Sequence, residues 1–513
     1  MESTIPKNSR AAYRLRACPK SSPCLKTHIF GCKTSSRTHR NAITLRAPTR
    51  FSLKNMDFQT RVPRDFGQAL TLVISIIIAV PLVLLLFPGK THATEVVIDN
   101  AISTNDSHSN NASPQLVWIS DTEGFAFYID NGRVVSMAST TNSGATWGNV
   151  TTVDSVNTND GIKVSVWYDR WTPGDTTGNL IHIATLDSGD DDTYYTQYNT
   201  VTNQVSTTVV TGTQVAAMNA NNTVSITKAE NGTLYVTSVE SADGWVHTCS
   251  SSCTSSSNWS AITSPYTNGN DHMILLPLGG TNNIMLLWWD ISDDDIESNI
   301  YSATSTSWWG WNTGISQNEP DEPTYGSAMM GATINRTTGE IYFAYIADNG
   351  VEYTVQDHDI DIWEFNNSTF VWSQKTASAL VNMSGGLTGV KISVDENTGD
   401  LYLAYLRRTT IGTITTTNVY WRKSTDNGET WGAEQGPLNS AADDIRGLSV
   451  NIMSDERIGA MWKYAGTIVD EDGLYHETIV NLSPGGGTPS RKMRLFEGFG
   501  IKFFSGKIIL YGN

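Results

Sequence analysis

The run Ser424-Thr425-Asp426-Asn427-Gly428-Glu429-Thr430-Trp431 decides how the rest of the chain is read. It follows Asn418-Val419-Tyr420-Trp421-Arg422-Lys423, an alternating run that reads as a strand, and Trp431 opens another strand. The eight residues are therefore a hairpin turn. Asp426 can accept hydrogen bonds from nearby backbone N–H groups, Gly428 supplies a positive φ, and the Ser424 and Thr430 hydroxyls close the loop on itself beneath the Trp431 ring. A second copy stands at Thr140-Thr141-Asn142-Ser143-Gly144-Ala145-Thr146-Trp147, with Asn142 in the place of the aspartate. Two copies so far apart imply a repeated structural unit.

Both turns resemble the Asp box, Ser-x-Asp-x-Gly-x-Thr-Trp, of the sialidase-like β-propellers. Thr140, Asn142, Gly144, Thr146 and Trp147 match it in one copy; Ser424, Asp426, Gly428, Thr430 and Trp431 match it in the other. The resemblance implies an all-β propeller of four-stranded antiparallel blades, with Asp boxes on turns opposite the binding mouth. Such turns report fold and not catalysis.

An independent signal supports the repeat. A polar turn followed by an aliphatic and aromatic run recurs at Gly124, Gly178, Gly232, Asn282, Gly339, Gly399 and Glu456, with spacings of 54, 54, 50, 57, 60 and 57 residues. That period suits a four-stranded blade. Seven turns predict seven blades over 94–483, or six if the copy at Asn282 or the last one is misread. The last blade lacks an outer strand after Leu474–Leu482, and Thr94–Asp99 is the natural filler, closing a monomeric ring.

Charge is unevenly distributed. Residues 1–93 carry fifteen Lys/Arg and three acids, whereas 94–483 carry fourteen Lys/Arg and forty-seven acids. So acidic a body repels phosphate backbones, which argues against nucleic acid as a partner. Residues 1–68 form a basic leader, with Met56 an alternative start. The apolar stretch 69–87 has about the length that crosses a hydrocarbon core, either as a signal-peptide core or as a transmembrane helix. Arg61 and Arg64 before it predict that the acidic body is exported, secreted or membrane-anchored. Cleavage after Ala93 and an uncleaved anchor are both open readings. Cys249 and Cys253 are the body's cysteines and could pair outside the cytoplasm. Residues 484–490 read as a Gly/Pro linker and 491–513 as a basic, aromatic tail, suited to a membrane interface or to docking on the domain.

Candidate chemistry is sparse. The sialidase resemblance implies three arginines gripping a sugar carboxylate, a Tyr–Glu nucleophile and an Asp acid/base, yet the Arg-Ile-Pro motif for the first arginine is absent before Thr140. Arg170, with Tyr168 and Asp169, is the best catalytic candidate, while Arg336 and Arg422 sit in or beside turns and are poor ones. A structural ion pair under an aromatic lid is the competing reading of that cluster. Trp167, Trp171 and Trp289 are candidate sugar-stacking platforms, although alternation puts most tryptophans between sheets. Asp190–Asp192, Asp293–Asp295 and Asp357–Asp361 are oxygen-rich enough for structural calcium, but none forms a recognisable loop for it, and no metal ligand or cofactor is assignable. The residues thus point to an exported propeller that recognises glycans or another cell-surface ligand. A sialidase-type hydrolase and a structural surface or virion protein are the alternatives.

Overall fold

The computed structural model describes residues 95–100, 102, 113–154, 161–213, 223–239, 244–262, 272–290, 295–309, 315, 330–348, 357–375, 380, 383–384, 386–411, 414–439, 445–464, 473–482, 499–504 and 507–512. The chain divides into two compact units, Met1–Phe87 and Pro88–Asn513, and every described residue lies in the second. The expectations for the leader, the apolar stretch 69–87 and the linker 484–490 fall outside the described residues. Among the described residues, no helix is long and apolar enough to cross a membrane. The tail strands Phe499–Phe504 and Lys507–Gly512 pair with each other as a two-stranded antiparallel hairpin.

Seven antiparallel sheets form the blades of a propeller. Their innermost strands are Leu116–Trp118, Gly161–Tyr168, Val224–Lys228, His272–Pro277, Met330–Ile334, Gly386–Asp395 and Ile445–Val450. Each hub strand turns back into a second strand at one of the seven repeat positions seen in the sequence, so the period marks the inner hairpin of each blade. In the sixth blade the outer position is taken by residues around Gln435, bridged to Trp421. In the seventh it is taken by Val96–Asp99, paired antiparallel with Leu474–Asn481 as Val96↔His476 and Val97↔Tyr475. That strand is fastened near both ends, by Tyr464 Oη donating to Glu95 Oε2 at 2.8 Å and Tyr128 Oη donating to Asp99 Oδ2 at 2.5 Å. First and last segments of the ring thus close one blade.

The hub strands alternate apolar residues with small hydroxyls, as in Val164-Ser165-Val166, Val224-Ser225-Ile226 and Leu448-Ser449-Val450. Except in the sixth blade, where Val394 and Asp395 pair in parallel with Met453 and Ser454, an innermost strand has no sheet neighbour on its hub side, and its buried N–H groups still need acceptors. Hydroxyls of the adjoining blade supply them: Ser165 Oγ accepts from Ile226 N at 3.2 Å, Ser225 Oγ from Leu275 N at 3.0 Å, and Ser449 Oγ from Gln115 N at 3.0 Å. The last of these joins the seventh blade to the first. Between the sheets lie fully buried aromatics such as Trp167, Trp288, Trp289 and Trp462.

Both turns that opened the sequence reading connect third to fourth strands, in the first and sixth blades. Asp426 Oδ1 accepts from Ser424 Oγ (2.8 Å) and Thr430 N (2.8 Å), and Ser424 Oγ accepts from Gly428 N (2.9 Å). Gly428 has φ 85°, and Trp431 Nε1 donates to its carbonyl at 3.1 Å. In the other turn Asn142 Oδ1 accepts from Thr140 Oγ1 (3.0 Å) and Thr146 N (3.0 Å), and Thr140 Oγ1 accepts from Gly144 N (3.1 Å). Cys249 and Cys253 are joined by a disulfide in the outer hairpin of the third blade.

Candidate functional site at the hub

Three inner turns of successive blades are built alike. Asn335 Oδ1 accepts from the N–H groups of Thr337 (3.0 Å) and Thr338 (3.2 Å). One repeat on, Asp395 accepts from Asn397 N (2.8 Å) and Thr398 Oγ1 (2.7 Å); at the next, Ser454 Oγ accepts from Glu456 N (3.0 Å) and Arg457 N (2.9 Å). In each case the capping residue holds the turn, and its successor is left to face the hub. Those successors are Arg336, Glu396 and Asp455. Together with Trp118, Ile119, Tyr168, Arg170, Trp171, Met453 and Ser454 they line a recess of about 320 Å³, its part open to solvent included.

Charge in the recess is mixed. Arg336 Nε stands 3.0 Å from Glu396 Oε2, its backbone N–H donates to Glu396 Oε1 at 3.3 Å, and its Nη1 donates to the Arg170 carbonyl. Burial pushes the Glu396 carboxyl above its ordinary value despite Arg336. Arg170 Nε donates to Gly178 O at 3.1 Å, and the guanidinium lies 5.7 Å from the centre of the Tyr168 ring. Among the described residues its two terminal nitrogens have no hydrogen-bond partner. The Tyr168 hydroxyl is likewise buried without one. Burial, reinforced by Asp169, Asp455 and Asp175 against the opposing Arg170, pushes that hydroxyl up to about 12.

Asp169 has a different job from Arg170 beside it. It is 4% exposed and accepts from Lys228 Nζ (2.6 Å) and Leu180 N (2.8 Å), with His182 Nε2 at 2.9 Å. Burial raises its carboxyl, but the His182 and Lys228 contacts outweigh that and hold it well below the usual carboxylate range. Gly178 abuts it so closely that an added Cβ would lie 2.2 Å from the Asp169 Cβ. Asp169 therefore pins the short 3₁₀ turn Asp169–Trp171 that presents Arg170. The ion pair in this cluster runs to Lys228 of the next blade, not to the adjacent arginine.

Several expectations are corrected here. Trp167 and Trp289 are fully buried between sheets and offer no face to a sugar, while Trp171, 3% exposed, is a wall of the recess. Arg170 lies on the same face as the two box-like turns, because Ser143 donates from N and Oγ to the carbonyls of Thr122 and Asp121 in an inner turn, each at 2.9 Å. Most residues of the connections at the opposite mouth lie outside the described residues. Arg336, set aside because it sits in a turn, lines the recess, and Glu396, Asp455 and Trp118 were not singled out. Aligning the turns one repeat apart would have found three of them, since Arg336, Glu396 and Asp455 follow the capping residue in consecutive copies. Of the acidic runs, Asp190 Oδ2 accepts from Tyr194 Oη at 3.2 Å, and among the described residues no group of three His, Cys, Asp or Glu could hold a metal.

No family model matches the chain, and no curated protein sequence matches it. Among solved structures it is similar to a PL25 polysaccharide lyase, an ulvan lyase, at 10% identity over 76% of this chain and 95% of that one, with a TM-score of 0.44. It is also similar to the NanB sialidase of Streptococcus pneumoniae, at 10% identity over 75% of this chain and 70% of that one, TM-score 0.39. A third is the α-L-arabinofuranosidase Arb93A of Fusarium graminearum, at 12% identity over 77% and 99%, TM-score 0.40. Likeness at that level assigns no ligand and no chemistry to this chain.

Proposed function

We propose that the protein is an exported glycan-binding propeller that takes one sugar residue, or the end of a glycan chain, at its hub recess. The observation that carries this reading is the set of uncommitted donors, the two terminal nitrogens of Arg170 and the Tyr168 hydroxyl, beside the carboxylates of Glu396 and Asp455 in an indole-walled recess. Donors and acceptors of both kinds around apolar walls suit sugar hydroxyls, which donate and accept at once. Export is supported by the apolar stretch 69–87, the acidic body and the Cys249–Cys253 disulfide.

A second reading, a sialidase-type hydrolase, draws on the same place: a Tyr, a Glu, an Asp and two arginines meet there. Three features weigh against it. One arginine is tied to Glu396; the Tyr168 hydroxyl, pushed up to about 12, resists ionisation; and it has no hydrogen-bonded partner to take its proton. Incubation of the Pro88–Asn513 unit with a fluorogenic sialoside, alongside binding to immobilised glycans, separates the two. Binding without turnover is expected. Turnover abolished by Arg170→Ala would replace the binding reading with the hydrolytic one.

A further inference from the structure

Among the described tryptophans, Trp309 stands apart. It is 52% exposed, whereas Trp167, Trp288, Trp289 and Trp462 are at most 1% exposed. Its backbone is fixed to its own blade by Trp309 N donating to Ile300 O at 2.9 Å. Its ring is propped by the next blade: Phe370 meets it at 5.1 Å between ring centres with planes inclined by 60°. Phe370 in turn rests on the buried Phe365, 6.1 Å away.

The prop is held in an unusual way. Phe370 has φ 56°, a left-handed conformation that a bulky side chain adopts only against steric resistance. The turn before it enforces that conformation, with Phe370 N donating to Asn366 O at 2.8 Å and Asn366 Oδ1 accepting from Ser368 N and Thr369 N, each at 3.0 Å. An indole braced edge-on from a neighbouring blade, with half its surface open, is pre-set for stacking.

The surroundings favour a sugar over a protein. Among the described residues, exposed Ser305, Thr306 and Ser307 precede Trp309, and the turn before Phe370 carries exposed Ser368 and Thr369. Those hydroxyls make the described surroundings of the indole polar, unlike the apolar centre of a protein interface. A pyranose ring needs only a flat apolar face and nearby hydroxyls.

We propose that Trp309, braced by Phe370, is a stacking platform for a pyranose with equatorial substituents, whose two faces present C–H bonds. The ligand class rests on the glycan-binding reading; the site does not, being on the rim and built from other residues. The test is a calorimetric titration of the Pro88–Asn513 unit with cellohexaose, for wild type, Trp309→Ala, Trp309→Tyr and Arg170→Ala. Saturable binding is expected, weakened about tenfold by Trp309→Ala and largely retained by Trp309→Tyr. Absence of a saturable signal in wild type, or equal binding by Trp309→Ala, overturns the platform. If Trp309→Ala matters and Arg170→Ala affects no glycan, the platform stands and the hub reading falls. Unfolding temperatures check that each variant is folded.

Discussion

On one face of the ring, the inner turns at the hub and the outer turns at the rim draw on the same short polar residues and end with opposite results. The rim turns spend their polar groups on themselves. Asp426 takes Ser424, Thr430 and the Thr430 N–H, and the indole of Trp431 bonds back to Gly428. The hub turns need only one capping side chain, Asn335, Asp395 or Ser454, so the next residue is unspent. Side chains that the turns do not use themselves gather at the hub: Arg336, Glu396 and Asp455 line the recess together with residues of two further blades.

The strongest break of this contrast is at the rim. Trp431 is 7% exposed in the core between blades, and Trp431→Ala should cost about 3–5 kcal/mol in urea or thermal unfolding. Glycan affinity of the folded fraction should be unaltered; a parallel loss would mean the rim turns shape the site.

Next in size is Glu396→Ala at the hub. It strips Arg336 of its carboxylate in a partly buried setting, with an expected cost of about 2 kcal/mol, and it should also abolish glycan binding. The same substitution with binding intact would remove Glu396 from the site.

The pH dependence sharpens the comparison further. Hydrogen bonds from Thr430 and Ser424 hold the Asp426 carboxyl below its ordinary value. A depressed carboxyl stabilises the fold above its unfolded pKa, and that contribution is lost as pH falls through the folded one. Asn142 has no such proton to gain. Asp426→Asn should therefore flatten the acid limb of the unfolding midpoint below about pH 4, and Asn142→Asp should steepen it. Equal acid limbs in all three proteins would show that the aspartate's charge adds nothing to the turn.

How much of this was legible in the sequence follows from what each feature needs. Gly232, Gly339 and Gly399 sit at φ 85°, 76° and 77°, a need that shows as a glycine in the chain and made the period visible. The missing outer strand of the last blade was legible because an unpaired edge demands a partner, and Val96–Asp99 supplies it. The recess was less so. Arg170 was found because it stands among aromatics, but Arg336 and Glu396 come from turns far along the chain and reach Arg170 only because the ring brings distant blades to one hub. Trp289 misled for the converse reason: exposure depends on which sheet face the neighbouring blade covers, and a tryptophan's identity is silent on that.

The central claim, a glycan site at the hub, is tested most directly by measuring affinity for immobilised glycans with Arg170→Ala and Tyr168→Phe beside wild type, all in the Pro88–Asn513 unit. The account predicts that wild type binds a defined set, and that each variant weakens binding at least tenfold while its unfolding temperature stays within a few degrees of wild type. Wild-type affinity in both variants, or no glycan bound by the wild-type ring, would contradict it.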